Sequence, residues 1–269
     1  MSPPRIARTA SLRALLTSLA TVLAVLATSQ ARADLVFTTP TGSTIQGQAV
    51  SAQATFHVDG SGNLVITLQN TASTTNAMGQ VLSNIEFNMT GATFTVGSGS
   101  SVVIGSTSSM WEHNVLSGTI VAGTDIGGNW LFGTNTLAAG MSSPTQFGVS
   151  ATSFVSSSTS AQVNLMNEDS PIDGADWGLA AKGSTANDGL KTHDIITDTV
   201  VITLHGSGVN LNNLSGVVFT YGSEQDGLFG AFPGGGGENP TPEPASAVLV
   251  GLGMLGMGAL GVYRRKRVA

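Results

Sequence analysis

Residues 34–232 contain several short runs in which apolar and polar positions alternate. Leu64, Ile66 and Leu68 occupy every second position of one run, and a segment rich in Asp, Gly and Asn precedes it at residues 59–63. Alternation with a period of two is typical of a strand that has one face on a core, and such a polar segment between two runs is typical of a hairpin turn. The pattern therefore predicts a hairpin centred on residues 59–63.

The same region contains further β-branched and aromatic runs, and no stretch of it keeps a helical period over three turns. The other predicted strands are residues 55–58, 81–89, 93–96, 101–104, 200–204 and 217–221. Many short strands separated by polar turns are typical of an all-β protein. We predict one antiparallel β-sandwich or jelly-roll-like domain over residues 34–232.

The first 33 residues have the three parts of a secretory signal peptide. Three arginines precede an apolar run at residues 14–27, which is too short to span a bilayer comfortably, and Ala31 and Ala33 then provide the small residues that signal peptidase requires. We predict a signal helix over residues 1–33 that enters the Sec translocon and is removed after Ala33. The alternative is an uncleaved anchor or a core helix.

The opposite end of the chain combines an apolar segment with a basic tail. Residues 245–263 are nineteen positions without a charge, which as a helix measure about 28 Å, close to the thickness of a bilayer core. A basic cluster follows, formed by Arg264, Arg265, Lys266 and Arg267. Basic residues stay on the cytoplasmic side, so the pattern predicts a single transmembrane helix with residues 264–269 inside and the preceding domain outside.

A short proline motif, Pro242-Glu243-Pro244, stands directly before the apolar segment. Two prolines around one residue favour an extended chain at the membrane boundary. The motif, the helix and the basic tail together resemble the PEP-CTERM sorting signal of exosortase-dependent surface proteins of Gram-negative bacteria. The resemblance covers residues 241–269 and departs from the usual pattern at Thr241, where valine is commoner.

The resemblance implies a route and a location. An exosortase, which is a multi-pass membrane protease, would cut near Pro242, Glu243 and Pro244 and pass the protein to the cell surface or the extracellular matrix. Such sorting systems accompany exopolysaccharide and biofilm production. The three residues would act as a substrate motif and not as catalytic groups. A flexible glycine- and proline-rich linker at residues 233–240 would join the domain to this signal.

Composition excludes several kinds of site and one class of partner. The chain has no cysteine, which excludes a cysteine nucleophile, a thiolate zinc site and disulfides. Between residues 34 and 244 only two lysines accompany all sixteen acidic residues, a formal charge of −14. A surface this anionic repels phosphate backbones, so we expect no nucleic-acid partner.

An acidic segment at residues 168–176 is the strongest local cluster of potential ligands. Its carboxylates predict a calcium site at Asp169, Asp173 and Asp176, because calcium takes six to eight oxygen ligands. The spacing differs from that of an EF-hand loop, however, and a solvated acidic loop is the simpler interpretation. We expect no other cofactor.

Three tryptophans, Trp111, Trp130 and Trp177, are candidates for stacking against sugar rings. The alternative is that they are core or rim residues, because large aromatic side chains are mostly buried. The four histidines are scattered, and neither a GxSxG nor an HExxH motif occurs.

These observations favour a structural or adhesive role at the cell surface or in the exopolysaccharide matrix, without catalytic activity. The alternatives are a secreted polysaccharide-binding module or a hydrolase of matrix polysaccharide, whose two carboxylates would share a cleft beside a tryptophan. Ice binding is a weaker alternative, because the threonines do not form a regular array.

Overall fold

A computed structural model describes residues 34–230 except positions 98, 114, 139–142, 153–155, 158–162, 165–175, 185–189 and 224–225. The described residues form β-strands and three short 3-10 helices, with no α-helix among them. In chain order the strands are β1 (Leu35–Thr38), β2 (Thr44–Ile45), β3 (Gln48–Ala49), β4 (Ala52–Val58), β5 (Leu64–Asn70), β6 (Leu82–Met89), β7 (Thr93–Thr95), β8 (Ser101–Ile104), β9 (Met110–Glu112), β10 (Val115–Leu116), β11 (Leu131–Leu137), β12 (Thr145–Ser150), β13 (Ser156–Ser157), β14 (Val163–Asn164), β15 (Leu179–Ala180), β16 (Ile195–Thr197), β17 (Thr199–Ser207), β18 (Leu214–Tyr221) and β19 (Asp226–Phe229). The prediction of a β-rich domain is confirmed.

The first sheet has six antiparallel strands in the order β1-β4-β5-β17-β7, with β8 also paired to β17. Strands β4 and β5 form the predicted hairpin, in which Phe56 lies opposite Ile66. The Asp59 carboxylate closes its turn by accepting hydrogen bonds from the backbone N–H groups of Ser61 and Asn63, each at 2.8 Å. These bonds to the charged form outweigh the effect of burial and lower the pKa of Asp59.

The second sheet has eleven strands, of which eight follow the path β10-β9-β16-β15-β6-β12-β11-β13. Strand β14 pairs with β11, and β18 pairs with both β6 and β19. One pair, β15 with β16, is parallel, which the antiparallel prediction missed. A parallel pair needs a long connection between its strands, and residues 181–194 supply it here.

The two sheets face each other across one hydrophobic core, as in a β-sandwich. Phe56 of the first sheet contacts Phe87 of the second edge to face, with ring centroids 5.6 Å apart. Both rings are fully buried, as are Ile66 and Phe219. Alternation along β6 sends Ile85 and Phe87 into this core. Asn84 and Glu86, which alternate with them, therefore lie on the opposite face of the second sheet.

The chain passes from the second sheet to the first through a single residue, Asp198, between β16 and β17. Asp198 has a φ of 77°, an unfavourable angle for a residue with a side chain. Its buried carboxylate accepts hydrogen bonds from Gln69 Nε2 at 2.7 Å and Thr107 Oγ1 at 2.6 Å. These bonds hold the corner and tie three segments of the chain together.

The predicted signal helix and the predicted transmembrane helix lie outside the described residues. Within the described residues, no helix has the length and apolar character needed to cross a bilayer.

Candidate functional site

A group of titratable side chains meets at the end of the second sheet formed by β9, β10 and β16. Strands β9 and β10 are a hairpin in which Glu112 lies opposite Val115. His113 begins its two-residue turn with a φ of 46°, the positive angle that such turns need. His113 is therefore held at the tip of the hairpin by the turn itself.

Strand pairing brings distant residues to this tip. Strand β16 runs antiparallel to β9 with Ile195 opposite Trp111, so Asp194 reaches the end of β9 beside Glu112. On the other side of β16, the backbone N–H of Trp177 donates to the Asp194 carbonyl oxygen. Three separate segments of the chain thus converge on Asp194.

The cluster contains two histidine–carboxylate pairs. His193 Nδ1 lies 2.6 Å from Asp176 Oδ1 and forms a hydrogen bond with it. His113 Nδ1 lies 3.1 Å from Asp194 Oδ1, which is an ion-pair distance without the alignment of a hydrogen bond. We define the histidine–carboxylate edge as Glu112, His113, Asp176, His193 and Asp194.

The Asp194 carboxyl group lies close to the other charged groups of the histidine–carboxylate edge. Burial raises the pKa of its carboxyl group, the nearby His113 opposes that rise, and the negative charges of Asp176 and Glu112 reinforce it. Glu112 Oε1 accepts a hydrogen bond from Ser117 Oγ at 2.9 Å, which fixes its position. Carboxylates that repel one another beside imidazoles can hold a proton or a hydroxyl-bearing ligand.

The three tryptophans of the sugar-binding prediction do not share one surface. Trp130 is fully buried in the core, so its ring offers no face to a sugar. Trp177 is partly buried and packs against the same core, with a φ of 68°. Trp111 is partly exposed and lies opposite Ile195 on the same face of the sheet. The side chain of Ile195 belongs to a small cluster separate from the main core, so this face is the one turned away from that core. The prediction now depends on Trp111 and Trp177 alone.

Of the three predicted calcium ligands, only Asp176 lies within the described residues, and it is the partner of His193. Asp169 and Asp173 lie outside them. Among the residues that the structure describes, no group of three or more His, Asp or Glu side chains is arranged to hold a metal ion. The calcium site stays a prediction.

Sequence reasoning did not find the histidine–carboxylate edge. A signal was present in two neighbouring pairs of residues, Glu112-His113 and His193-Asp194. Each pair is commonplace alone, and only the β9–β16 ladder brings the two together. Strands of three residues are too short for their pairing to be deduced from alternation.

Three groups of predicted residues lie outside the described part of the chain. They are the signal cleavage residues Ala31 and Ala33, the motif Pro242-Glu243-Pro244, and the basic cluster of Arg264, Arg265, Lys266 and Arg267. Comparison with protein families bears directly on the C-terminal end. Residues 240–267 match the family model of the PEP-CTERM protein-sorting motif. The predicted sorting signal is therefore confirmed. No curated protein and no solved structure matches the chain.

Proposed function

Because the chain carries a PEP-CTERM sorting motif, which implies exosortase-dependent export to the surface, we propose a structural or adhesive, non-catalytic role there. The protein would act at the cell surface or within the exopolysaccharide matrix. The motif at residues 240–267 is the observation that carries this proposal. The composition supports it, since a polar chain of 269 residues with only 10% charged residues and 35 glycines suits an extracellular β-rich protein.

The proposed route has three steps. The Sec translocon exports the chain and signal peptidase removes residues 1–33. Residues 245–263 then hold the precursor in the inner membrane, with the basic tail in the cytoplasm. Exosortase finally cuts near Pro242, Glu243 and Pro244 and passes the domain outward.

Intact-mass analysis of the protein from cells with and without exosortase tests this route. We expect loss of the basic tail only when the enzyme is present. Replacing Pro242, Glu243 and Pro244 together by Ala should leave the full tail attached and the protein in the membrane. Glu238→Ala, in the neighbouring linker, is the matched control and should be processed normally. Normal processing of the triple variant would contradict the route.

An exposed apolar edge supports the adhesive part of the proposal. Strand β10 pairs only with β9 among the described strands, and it exposes Val115 and Leu116 by 66% and 54%. Unpaired strand edges with exposed apolar side chains are prone to associate with other surfaces. This edge adjoins the histidine–carboxylate edge through Glu112 and His113.

The adhesive role is tested by retention of the protein in the matrix. Val115→Lys together with Leu116→Lys should increase the fraction of protein washed from exopolysaccharide-coated cells severalfold. Val121→Lys changes an equally apolar side chain that is 49% exposed and lies outside the strand edge, so it serves as the control. Equal release of both variants would argue against adhesion through β10.

A polysaccharide-binding or hydrolytic activity is the second candidate. The observation that favours it is the position of Asp194, with its raised pKa, near a second carboxylate at Asp176 and beside Trp177. Asp194→Asn and Asp176→Asn should each lower release of reducing ends from matrix polysaccharide at least about a hundredfold if these groups are catalytic. Asp34→Asn, at the residue before β1 of the other sheet, is the control. Wild-type protein that releases no reducing ends would exclude the hydrolase.

A further inference from the structure

The outward face of the first sheet carries side chains that stand in rows across the strands. Strands β4, β5, β8 and β17 alternate between buried positions, which belong to the core, and half-buried or exposed positions, which point away from it. Strand pairing brings these outward positions side by side. The central row consists of Val36, Thr55, Thr67, Val201 and Val103.

All five residues of the central row are β-branched. Thr55 lies opposite Thr67, and Thr67 lies opposite Val201, so their side chains adjoin across the strands. Neighbouring strands are about 4.8 Å apart, so five strands give the central row a length of about 19 Å. The central row is therefore a narrow line of methyl groups that crosses the sheet with a regular repeat.

Polar side chains flank the central row on both sides. Gln53 and Gln69 lie opposite each other in the row on one side, and Thr203 lies opposite Ser101 in the row on the other. The amide nitrogen of Gln69 donates to Asp198, and its amide oxygen remains an acceptor. A chain that lay along the central row would meet methyl groups beneath it and hydrogen-bonding groups at both its edges.

The three rows contain no acid, lysine or arginine, although residues 34–244 carry a formal charge of −14. His57, at the end of one flanking row, pairs with Asp34 at the margin of the sheet. The domain as a whole repels an anionic polymer, and a cationic polymer would be drawn to the acidic segments and not to this face. Charge therefore favours an uncharged partner for the outward face.

We propose that the outward face of the first sheet binds an uncharged, extended polysaccharide whose chain lies along the central row. A sugar ring presents C–H groups on its faces and hydroxyl groups around its rim, which matches methyl groups flanked by amides and hydroxyls. The strand spacing is close to the length of one ring in an extended chain, so successive rings meet similar side chains. This binding gives the adhesive role its partner and rests on the proposed surface location.

A second copy of the chain is the competing occupant of this face. Two copies face to face would bury the amides of Gln53 and Gln69, and buried polar groups without partners are unfavourable. The three rows cover about 19 Å by about 14 Å. That area is well below the roughly 800 Å² that each partner buries in a standard interface. Size and polarity therefore favour the polysaccharide.

Retention of the purified full chain on insoluble cellulose, an uncharged extended glucan, tests the proposal. Thr67→Lys should lower the bound fraction severalfold, because a long side chain at the centre of the row holds the polymer away from its neighbours. Thr44→Lys makes the same change at an exposed threonine of β2, outside the first sheet, and should bind like the wild type. Val115→Lys together with Leu116→Lys should also bind normally, which separates this face from the β10 edge.

A second variant guards against misfolding of Thr67→Lys. Gln53→Ala removes one flanking amide, leaves the central row intact, and should raise the protein concentration at half-maximal binding severalfold. Three outcomes would overturn the proposal: a wild type that does not bind cellulose, equal binding by Thr67→Lys, or a wild-type dimer in sedimentation that Thr67→Lys converts into a monomer. The last outcome would assign the face to a second copy. Because the measurement needs no exosortase, its failure is distinguishable from failure of the proposed sorting route.

Discussion

Glu86 and Asp198 are two carboxylates with nearly the same solvent exposure and with pKa shifts in opposite directions. Their exposed fractions are 1% and 2%. Burial raises the pKa of both groups, but the pKa of Glu86 ends above its ordinary value and the pKa of Asp198 ends below. Solvent exposure alone therefore does not decide the direction of a carboxyl pKa shift in this domain.

The difference lies in what surrounds each group. Thr107, Gln69 and Thr199 donate hydrogen bonds to Asp198, and the charge of Lys182 adds to them. Together these interactions outweigh burial. Glu86 also accepts hydrogen bonds, from Thr145, Asn84, Thr136 and the backbone of Ala138, but it lies deeper in the protein and its desolvation prevails. The balance between desolvation and interactions with the charged form decides the direction of each pKa shift.

Removal of the Asp198 carboxylate should lower the free energy of unfolding the most. Asp198→Ala leaves Gln69 and Thr107 without their acceptor and keeps a positive φ that alanine tolerates poorly. We expect a loss of about 3 kcal/mol in the free energy of unfolding. Urea denaturation measures it. Asp198→Asn keeps the shape and the tolerance for positive φ, so it should cost less; equal costs would show that the charge is unimportant.

Glu86→Gln should act in the opposite direction. Above pH 7 the variant removes a buried negative charge, so its free energy of unfolding should exceed that of the wild type by about 1 kcal/mol. The same denaturation experiment measures both values. A wild type that is more stable than the variant would show that Glu86, like Asp198, is stabilised in its charged form.

Glu86 and Asp198 should also change the stability of the domain in opposite directions as the pH falls. The raised pKa of Glu86 means that its contribution favours folding as the pH falls through that pKa, above the ordinary 4.5. The lowered pKa of Asp198 means that its contribution is present above the ordinary 3.8 and is lost as the pH falls further.

The free energy of unfolding should therefore change with pH in two separate ranges. Glu86→Gln should remove the gain in stability in the upper pH range, and Asp198→Asn should reduce the loss of stability in the lower pH range. Measurements of the free energy of unfolding against pH for the wild type and both variants check this assignment. A variant that changes stability in the range assigned to the other residue would contradict it.

The smallest effect should come from the lysine near Asp198. Lys182 Nζ lies 3.8 Å from Asp198 Oδ2, but its side chain is 68% exposed. Exposed ion pairs contribute little, so Lys182→Met should cost less than about 0.5 kcal/mol and the cost should fall in high salt. A larger, salt-independent loss would mean that the lysine, and not the hydrogen bonds, keeps Asp198 ionised.

The first sheet was largely predictable because its strands alternate strictly. The predicted strand at residues 101–104 coincides with β8, and the predicted run at residues 200–204 lies within β17. Their side chains alternate between core and surface, which leaves a period of two in the sequence. The prediction missed β11 and β12. Strand β11 begins with three consecutive buried positions, and five of the six positions of β12 are buried. Strands buried on both faces lose that alternation.

The candidate site was predictable only in pieces. Sequence reasoning selected Asp176, Trp111 and Trp177, and the structure adds Asp194, His113 and His193 around them. Trp130, which was assigned with the other tryptophans, lies in the core, as the alternative interpretation held. Nothing in a single tryptophan distinguishes a buried ring from an exposed one, because that depends on which strands cover it.

The sequence by itself determined the sorting signal and the alternation of the hairpin strands, because both are local patterns whose meaning needs no distant residue. Only the tertiary structure decided which charges meet. Asp194 reaches His113 because β16 pairs with β9, and Asn84 reaches Thr220 because β6 pairs with β18. Electrostatic energy depends on distance and solvent exposure, and strand pairing sets both.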